Sequence, residues 1–226
     1  IMRKLAQTKL KDMKKLLLGI IVIAGTSFSG TAQVAQGNIL VDAYYGFTNV
    51  GAALYETNWD FEAAYWGTEA ETSSLGPIGL RAEYLVSDKF GVGVDFAFDQ
   101  SSSSLERSYD SDGDGVEEAY LTEGKTFKWG AMLTLNYHMV TNQYIDLYLM
   151  GGAGYKSRTS SLTTNELMGA EAFDEQAIGL TPETAIPFAG RLGLGCRFFF
   201  TENIGANVGI GLGQGGLVNA GLSFKF

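Results

Sequence analysis

Hydrophobic and polar positions alternate strictly through residues 186–226. In 186–200, Phe188, Leu192, Leu194, Cys196, Phe198 and Phe200 share one parity, while Ala189, Arg191, Gly193, Gly195 and Arg197 share the other. After the turn Thr201–Asn203, Ile204, Ala206, Val208, Ile210 and Leu212 alternate with glycines and Asn207. The last run sets Val218, Ala220, Leu222, Phe224 and Phe226 against Asn219, Gly221, Ser223 and Lys225. Side chains of a strand alternate faces with period two, so each run predicts a β-strand with one apolar face. Five earlier runs behave alike, at 38–48, 75–86, 90–100, 126–139 and 144–157. Their apolar parities read Ile39 to Phe47, Ile78 to Val86, Phe90 to Phe98, Phe127 to Tyr137 and Ile145 to Tyr155. The whole pattern predicts eight strands, with long acidic loops at about 49–74, 101–124 and 158–185.

The polar parity decides what encloses these strands. A soluble sandwich turns that face to water, where long charged side chains are usual and glycine weakens a strand. Here it is rich in glycine with a few separated charges, which suits the crowded interior of a narrow closed barrel whose apolar face meets lipid. An internal repeat supports the count. YLVSDKFGV at 84–92, HMVTNQYID at 138–146 and FFFTENIGA at 198–206 share one plan, an apolar pair, a hydroxyl residue, two polar residues and a return to apolar. These read as short hairpin turns after strands two, four and six. Short turns at one end and long loops at the other are the asymmetry of bacterial outer-membrane barrels, where the short turns are periplasmic. Runs of this length cover the roughly nine to eleven residues that an oblique crossing takes.

A chain ending Phe224-Lys225-Phe226 in such a strand resembles the outer-membrane barrels of Gram-negative bacteria. In that family the terminal Phe belongs to the signal read by the insertion machinery. The strand count, turns, loop asymmetry and terminal strand together resemble the small OmpA/OmpX-like group, over nearly all of the expected mature chain. The resemblance implies an all-β, eight-stranded antiparallel up-and-down transmembrane β-barrel in the outer membrane, monomeric, with membrane lipids and the insertion machinery (through the Phe226 strand) as partners. The peptidoglycan-binding domain of longer relatives is not expected to follow the barrel.

Composition narrows this further. The chain of 226 residues is 46% hydrophobic with 30 Gly and 3 Pro, and no internal apolar run approaches the roughly 18 residues of a membrane-spanning helix. Met13-Lys14-Lys15, the apolar stretch Leu16 to Ala24 and the small residues Gly30-Thr31-Ala32 read as an export signal, cleaved before Gln33. Residues 1–12 then read as an upstream extension, 13–32 as the signal and 33–226 as one barrel domain. A formal charge of −9 argues against a nucleic-acid partner. The single Cys196 lies on an apolar parity, which excludes a disulfide framework and reads as packing.

Candidate chemistry lies inside the barrel and in the loops. The inward charges are Asp42, Glu83, Asp95, Asp99 and Asp146 against Arg81, Lys128, Lys156, Arg191, Arg197 and Lys225. Buried charges persist when paired and hydrogen-bonded, so an ion-pair network across the lumen is expected to block it. A polar pathway for small ions is the alternative. Some barrels of this size are lipid A acyl-transfer or deacylation enzymes, which need a histidine near the outer leaflet. His138 is the one histidine and adjoins a short turn, so no enzyme is expected and His138 reads as structural. In the second loop, Asp110, Asp112 and Asp114 before Gly115, with Glu118 at the ninth position, resemble part of a calcium loop. Leu121 stands where the bidentate Glu belongs, so a solvated acidic loop competes with a Ca²⁺ site, and no other cofactor is expected. The first loop mixes Glu56, Asp60, Glu62, Glu69 and Glu71 with Tyr55, Trp59, Phe61, Tyr65 and Trp66. The third carries Glu166, Glu171, Asp174, Glu175 and Glu183. The expected role is structural or surface-interacting, with a small-solute channel as runner-up. A soluble barrel that binds an apolar ligand would need the apolar parity to face inward.

Overall fold

The computed structural model describes residues 34–47, 50–110, 115–165 and 187–226. The expected signal and upstream extension lie outside the described residues, as do Asp112, Asp114 and the acids of the third loop.

Eight strands form one closed antiparallel barrel in sequence order, each paired with the next and the last with the first. They are β1 Ile39–Phe47, β2 Ala70–Ser87, β3 Phe90–Tyr109, β4 Glu118–Thr141, β5 Ile145–Thr164, β6 Phe188–Phe199, β7 Ile204–Gly213 and β8 Val218–Lys225. The seam is closed by Ile39 and Phe226, whose backbone N–H groups each donate to the other's carbonyl at 2.9 Å. Along the strands the apolar parity faces out. Leu133 is 72% exposed and Leu212 70%, whereas Asp42 and Arg197 are fully buried. Barrel closure and the alternation therefore put charge inside and hydrocarbon outside.

The three short turns owe their shared sequence plan to side-chain capping. Ser87 Oγ accepts from the N–H groups of Lys89 and Phe90, and Thr201 Oγ1 from those of Asn203 and Ile204. In the middle repeat Asn142 Oδ1 does the same for Tyr144 and Ile145. Each polar side chain satisfies backbone donors that the hairpin leaves unpaired.

The other end departs from expectation. Strands β2 to β5 have 18, 20, 24 and 20 residues, against 9, 12, 10 and 8 for β1, β6, β7 and β8. One side of the wall thus continues well past the other, and the expected second loop is mostly strand. A register shift between Leu75 and Ile78 exchanges the two faces of β2, so Thr72 points inward to Ser103 Oγ at 2.7 Å. Pro77 sits in that irregularity, where its missing N–H costs no ladder bond.

The first loop is not irregular either. Val50–Trp66 forms helix α1. Its end is a Schellman motif, with Thr68 N donating to Ala63 O at 2.9 Å, Gly67 N to Ala64 O at 3.2 Å, and Gly67 at φ 69°. Tyr55, Trp59 and Ala63 pack against Leu105 of β3, with Ala70 and Leu162 beside them. Gly124 of β4 leaves the room that the Trp59 ring occupies. The helix is seated on the inner face of the tall wall, over the barrel mouth. Burial pushes the Tyr55 phenol above its ordinary range.

Candidate functional site

From the short-turn end upward, the interior is layered. At the bottom, Val34 ahead of β1 packs with Leu40, Leu85 and Phe199, an apolar floor that the alternation alone did not announce.

Above the floor, Arg197 is the hub of a fully buried network. Its Nε donates to Asp42 Oδ1 at 3.0 Å, Nη2 to Asp42 Oδ2 and Glu83 Oε2 at 2.8 Å each, and Nη1 to Asp146 Oδ2 at 2.8 Å. The remaining oxygens of Glu83 and Asp146 meet the two ring nitrogens of His138, at 2.9 Å from Nε2 and 2.6 Å from Nδ1. Arg197, Glu83, His138 and Asp146 therefore close a ring. An ionised carboxylate only accepts hydrogen bonds, so this geometry fits an imidazolium donating to both neighbours.

Asp42 links the ring to a second cluster. It accepts from Ser223 Oγ at 2.6 Å and lies 3.4 Å from Arg81 Nη1. Arg81 donates from Nε and Nη2 to Asp95 Oδ2 at 3.0 and 2.9 Å, and from Nη1 to Tyr148 Oη at 3.0 Å. Tyr44 Oη donates to Asp95 Oδ1 at 2.7 Å. Both guanidiniums lie over aromatic faces, Arg197 over Tyr148 at 4.2 Å and Arg81 over Tyr44 at 5.1 Å. Asn207 of β7 joins through Ser223 Oγ at 3.2 Å, so every strand contributes. The glycines of the polar parity now have a reason. Gly79 lies against the Tyr44 ring and Gly195 against the Tyr148 ring, and a Cβ at either would collide with it. Fixed, charge-assisted bonds of this kind hold side chains across the lumen in one arrangement.

Not every expected lumen charge enters this network. Asp99 and Lys128 form a separate pair higher up, 3.7 Å apart. Arg191 turns to backbone instead, donating to the carbonyls of Gln214 and Gly216 in the β7–β8 turn. Lys156 is exposed above the network. Lys225 sits at the floor with its ammonium 5.6 Å from the Phe199 ring centre. These three have the inward parity but lie above or below the layer where the carboxylates converge. Tyr44, Tyr148, Asn207 and Ser223 were the members sequence reasoning missed, although their inward parity was visible.

Of the calcium candidates, Asp110 Oδ2 accepts from Gly115 N at 2.8 Å, and Glu118 opens β4. The described residues contain no group of three His, Cys, Asp or Glu side chains arranged to hold a metal.

Beside the β7–β8 turn lies a cavity of about 410 Å³, lined among others by Pro77, Ala97, Asp99, Lys128, Trp129, Lys156, Phe188, Ala189, Leu212 and Gln214. Outside, aromatic contacts gird the wall at two levels. Phe90 meets Tyr137 at 5.1 Å near the short turns, and Trp129 meets Tyr155 at 5.7 Å and Phe96 at 6.1 Å nearer the mouth. Such rings sit where hydrocarbon gives way to headgroups.

No family model and no curated protein matches the chain. Solved structures similar to it include the N-terminal β-barrel domain of Pseudomonas aeruginosa OprF, at 13% identity and TM-score 0.40 over 85% of this chain and 100% of that one. The outer membrane protein OprG from Pseudomonas aeruginosa is similar at 13% identity and TM-score 0.41, covering 87% of this chain and 99% of its own. Ail, the attachment invasion locus protein of Yersinia pestis, follows at 14% identity and TM-score 0.37, over 84% and 99%.

Proposed function

We propose that this chain is a non-enzymatic β-barrel protein of a Gram-negative outer membrane, with a structural or surface-interaction role and a lumen closed by its charge network. The observation that carries this reading is the unbroken apolar exterior of a closed barrel, from Ile39 through Leu80, Val94, Leu133, Leu149, Leu192 and Ile210 to Leu222. A surface of that extent on a soluble monomer would drive association, whereas against lipid it is the solvated face. Buried, fully engaged charges inside support a filled lumen. His138 has both ring nitrogens taken by carboxylates near a short turn, which supports a structural role over acid–base chemistry at the outer leaflet.

In this reading the barrel is a monomer, membrane lipids surround it, and the terminal strand ending in Phe226 addresses it to the insertion machinery. The outward face of α1, with Phe61 and Tyr65 each 78% exposed beside Glu62, is the surface offered for interaction outside the cell. The cavity beside the β7–β8 turn favours the runner-up, a small-solute channel, which would need a water path past Arg197.

Expression with membrane fractionation tests the reading. The protein is expected in the outer-membrane fraction, resistant to high-salt and urea washes, and to run faster on SDS gels before boiling than after. Recovery in the soluble periplasmic fraction, with no heat-dependent shift, would sink it.

A further inference from the structure

The seat of α1 on the inner wall is chemically mismatched. At this height many inward side chains of the wall are hydroxyls: Ser101 and Ser103 of β3, Thr122 and Thr126 of β4, and Ser160 of β5. All but Ser101 are bonded within the wall itself. Thr72 meets Ser103 at 2.7 Å, Thr126 meets Ser160 at 3.1 Å, and Arg107 Nη2 donates to Thr122 Oγ1 at 3.1 Å. The wall completes these bonds without the helix. Against it α1 lays Tyr55, Trp59 and Ala63, and Leu105 is the buried apolar side chain of the wall that packs with them. Tyr55 Oη and Trp59 Nε1 are carried into this junction, buried, and reach no hydrogen-bond partner there. A buried polar atom without a partner is costly, and the cost is removed once water reaches it. Seating also hides only part of the apolar surface of the helix, since Leu54, Phe61 and Tyr65 stay exposed on another side.

The C-terminal end of α1 is tied down in a different way. The Trp66 ring stacks on Tyr109 of β3 at 5.5 Å, and the Arg107 guanidinium lies over it at 5.3 Å. Directly after this clamp Gly67 turns at φ 69°, and β2 begins at Ala70. A left-handed glycine between a clamped ring and a strand is a point about which a rigid helix can swing.

We propose that α1 is a lid hinged at Gly67, which lifts from the wall as one helical body and admits water to the hydroxyls beneath. Lifting releases Tyr55 Oη and Trp59 Nε1 to solvent and keeps the stack of Trp66 on Tyr109. It uncovers the inner wall at the mouth and leaves the charge network below untouched, so the lid works whether or not the lumen conducts.

Thiol labelling of the refolded protein in non-ionic detergent tests this. Ala63→Cys, made with Cys196→Ser, places the one thiol on the seated face, where Ala63 is 2% exposed. Ala52→Cys gives a second buried position near the other end of the helix. A maleimide is expected to label both thiols to completion without denaturant. A lifted helix keeps its own hydrogen bonds, so labelling is expected to report opening roughly tenfold or more above that from amide hydrogen exchange in the same turn. Gly124→Ala would set a Cβ against the Trp59 ring and is expected to speed labelling by roughly tenfold. Tyr55→Phe removes an unpartnered oxygen and is expected to slow labelling, a direction that misfolding does not produce. Heat-dependent gel mobility establishes that each barrel is folded. Equal opening by labelling and by exchange would mean that α1 melts rather than lifts, and would overturn the proposal. Thiols that stay unlabelled would do the same, as would labelling that Gly124→Ala does not speed or Tyr55→Phe does not slow.

Discussion

Arg197→Ala is expected to destabilise the barrel by roughly 3–5 kcal/mol, the loss typical of breaking a buried ion pair from one side. The substitution leaves Asp42, Glu83 and Asp146, all fully buried around the former guanidinium, without their shared partner. His138 can still serve Glu83 and Asp146, but Asp42 retains only Ser223 and the longer approach of Arg81. Arg197→Lys is expected to fall between the two. It keeps the charge but lacks the planar fork that meets three carboxylates at once. The temperature at which the folded gel band disappears measures the order wild type, Arg197→Lys, Arg197→Ala. Equal transition temperatures for all three would show that the network does not hold the strands.

The second large effect depends on depth rather than on contacts. Leu133→Arg is expected to cost about 2–4 kcal/mol in a bilayer, the cost of a cation on the lipid face near the midplane. Leu133 points outward at 72% exposure, so no packing inside the barrel accounts for such a loss. Leu121 lies on the same face of the same strand, beyond the level of Trp129 and Tyr155 and beside the α1-bearing wall. Leu121→Arg is therefore expected to change stability by no more than about 0–1 kcal/mol. Urea titration of both variants folded into vesicles checks the contrast. Similar small effects at both positions would mean that water, not lipid, faces Leu133.

How much of this was legible beforehand follows from what the period-two signal can carry. It reports which face a side chain takes, so Asp42, Arg81, Glu83, Asp95, Asp146 and Arg197 were all visible as inward charges. It does not report height along the barrel axis. Arg191, Lys156 and Lys225 have the same parity but lie at other levels, so they resembled members of the network without being so. Strand ends were lost where composition changes. The serine run at 101–104, the residues on to Tyr109 and those from Glu118 to Gly124 read as loop, yet they pair in register from Ser101 with Thr126 to Tyr109 with Glu118. A strand outside the hydrocarbon layer has no reason to keep an apolar outer face. Helix α1 was hidden for a related reason. Tyr55, Trp59 and Ala63 form a helical stripe that is buried, but Leu54, Phe61 and Tyr65 are apolar on the opposite side, and the two stripes cancel the amphipathic signal. The register shift at Leu75 and the apolar floor under Val34 depend on long-range pairing, which a local pattern does not contain.

The claim most central to this account is that the charge network closes the lumen. Planar-bilayer recording on the purified, refolded protein tests it most directly. The account predicts no steady conductance from the wild-type barrel, because the Arg197, His138 and Arg81 clusters cross the interior and Val34, Leu40, Leu85 and Phe199 seal its floor. Large, stable single-channel currents from the wild type would contradict it and make the lumen a pore.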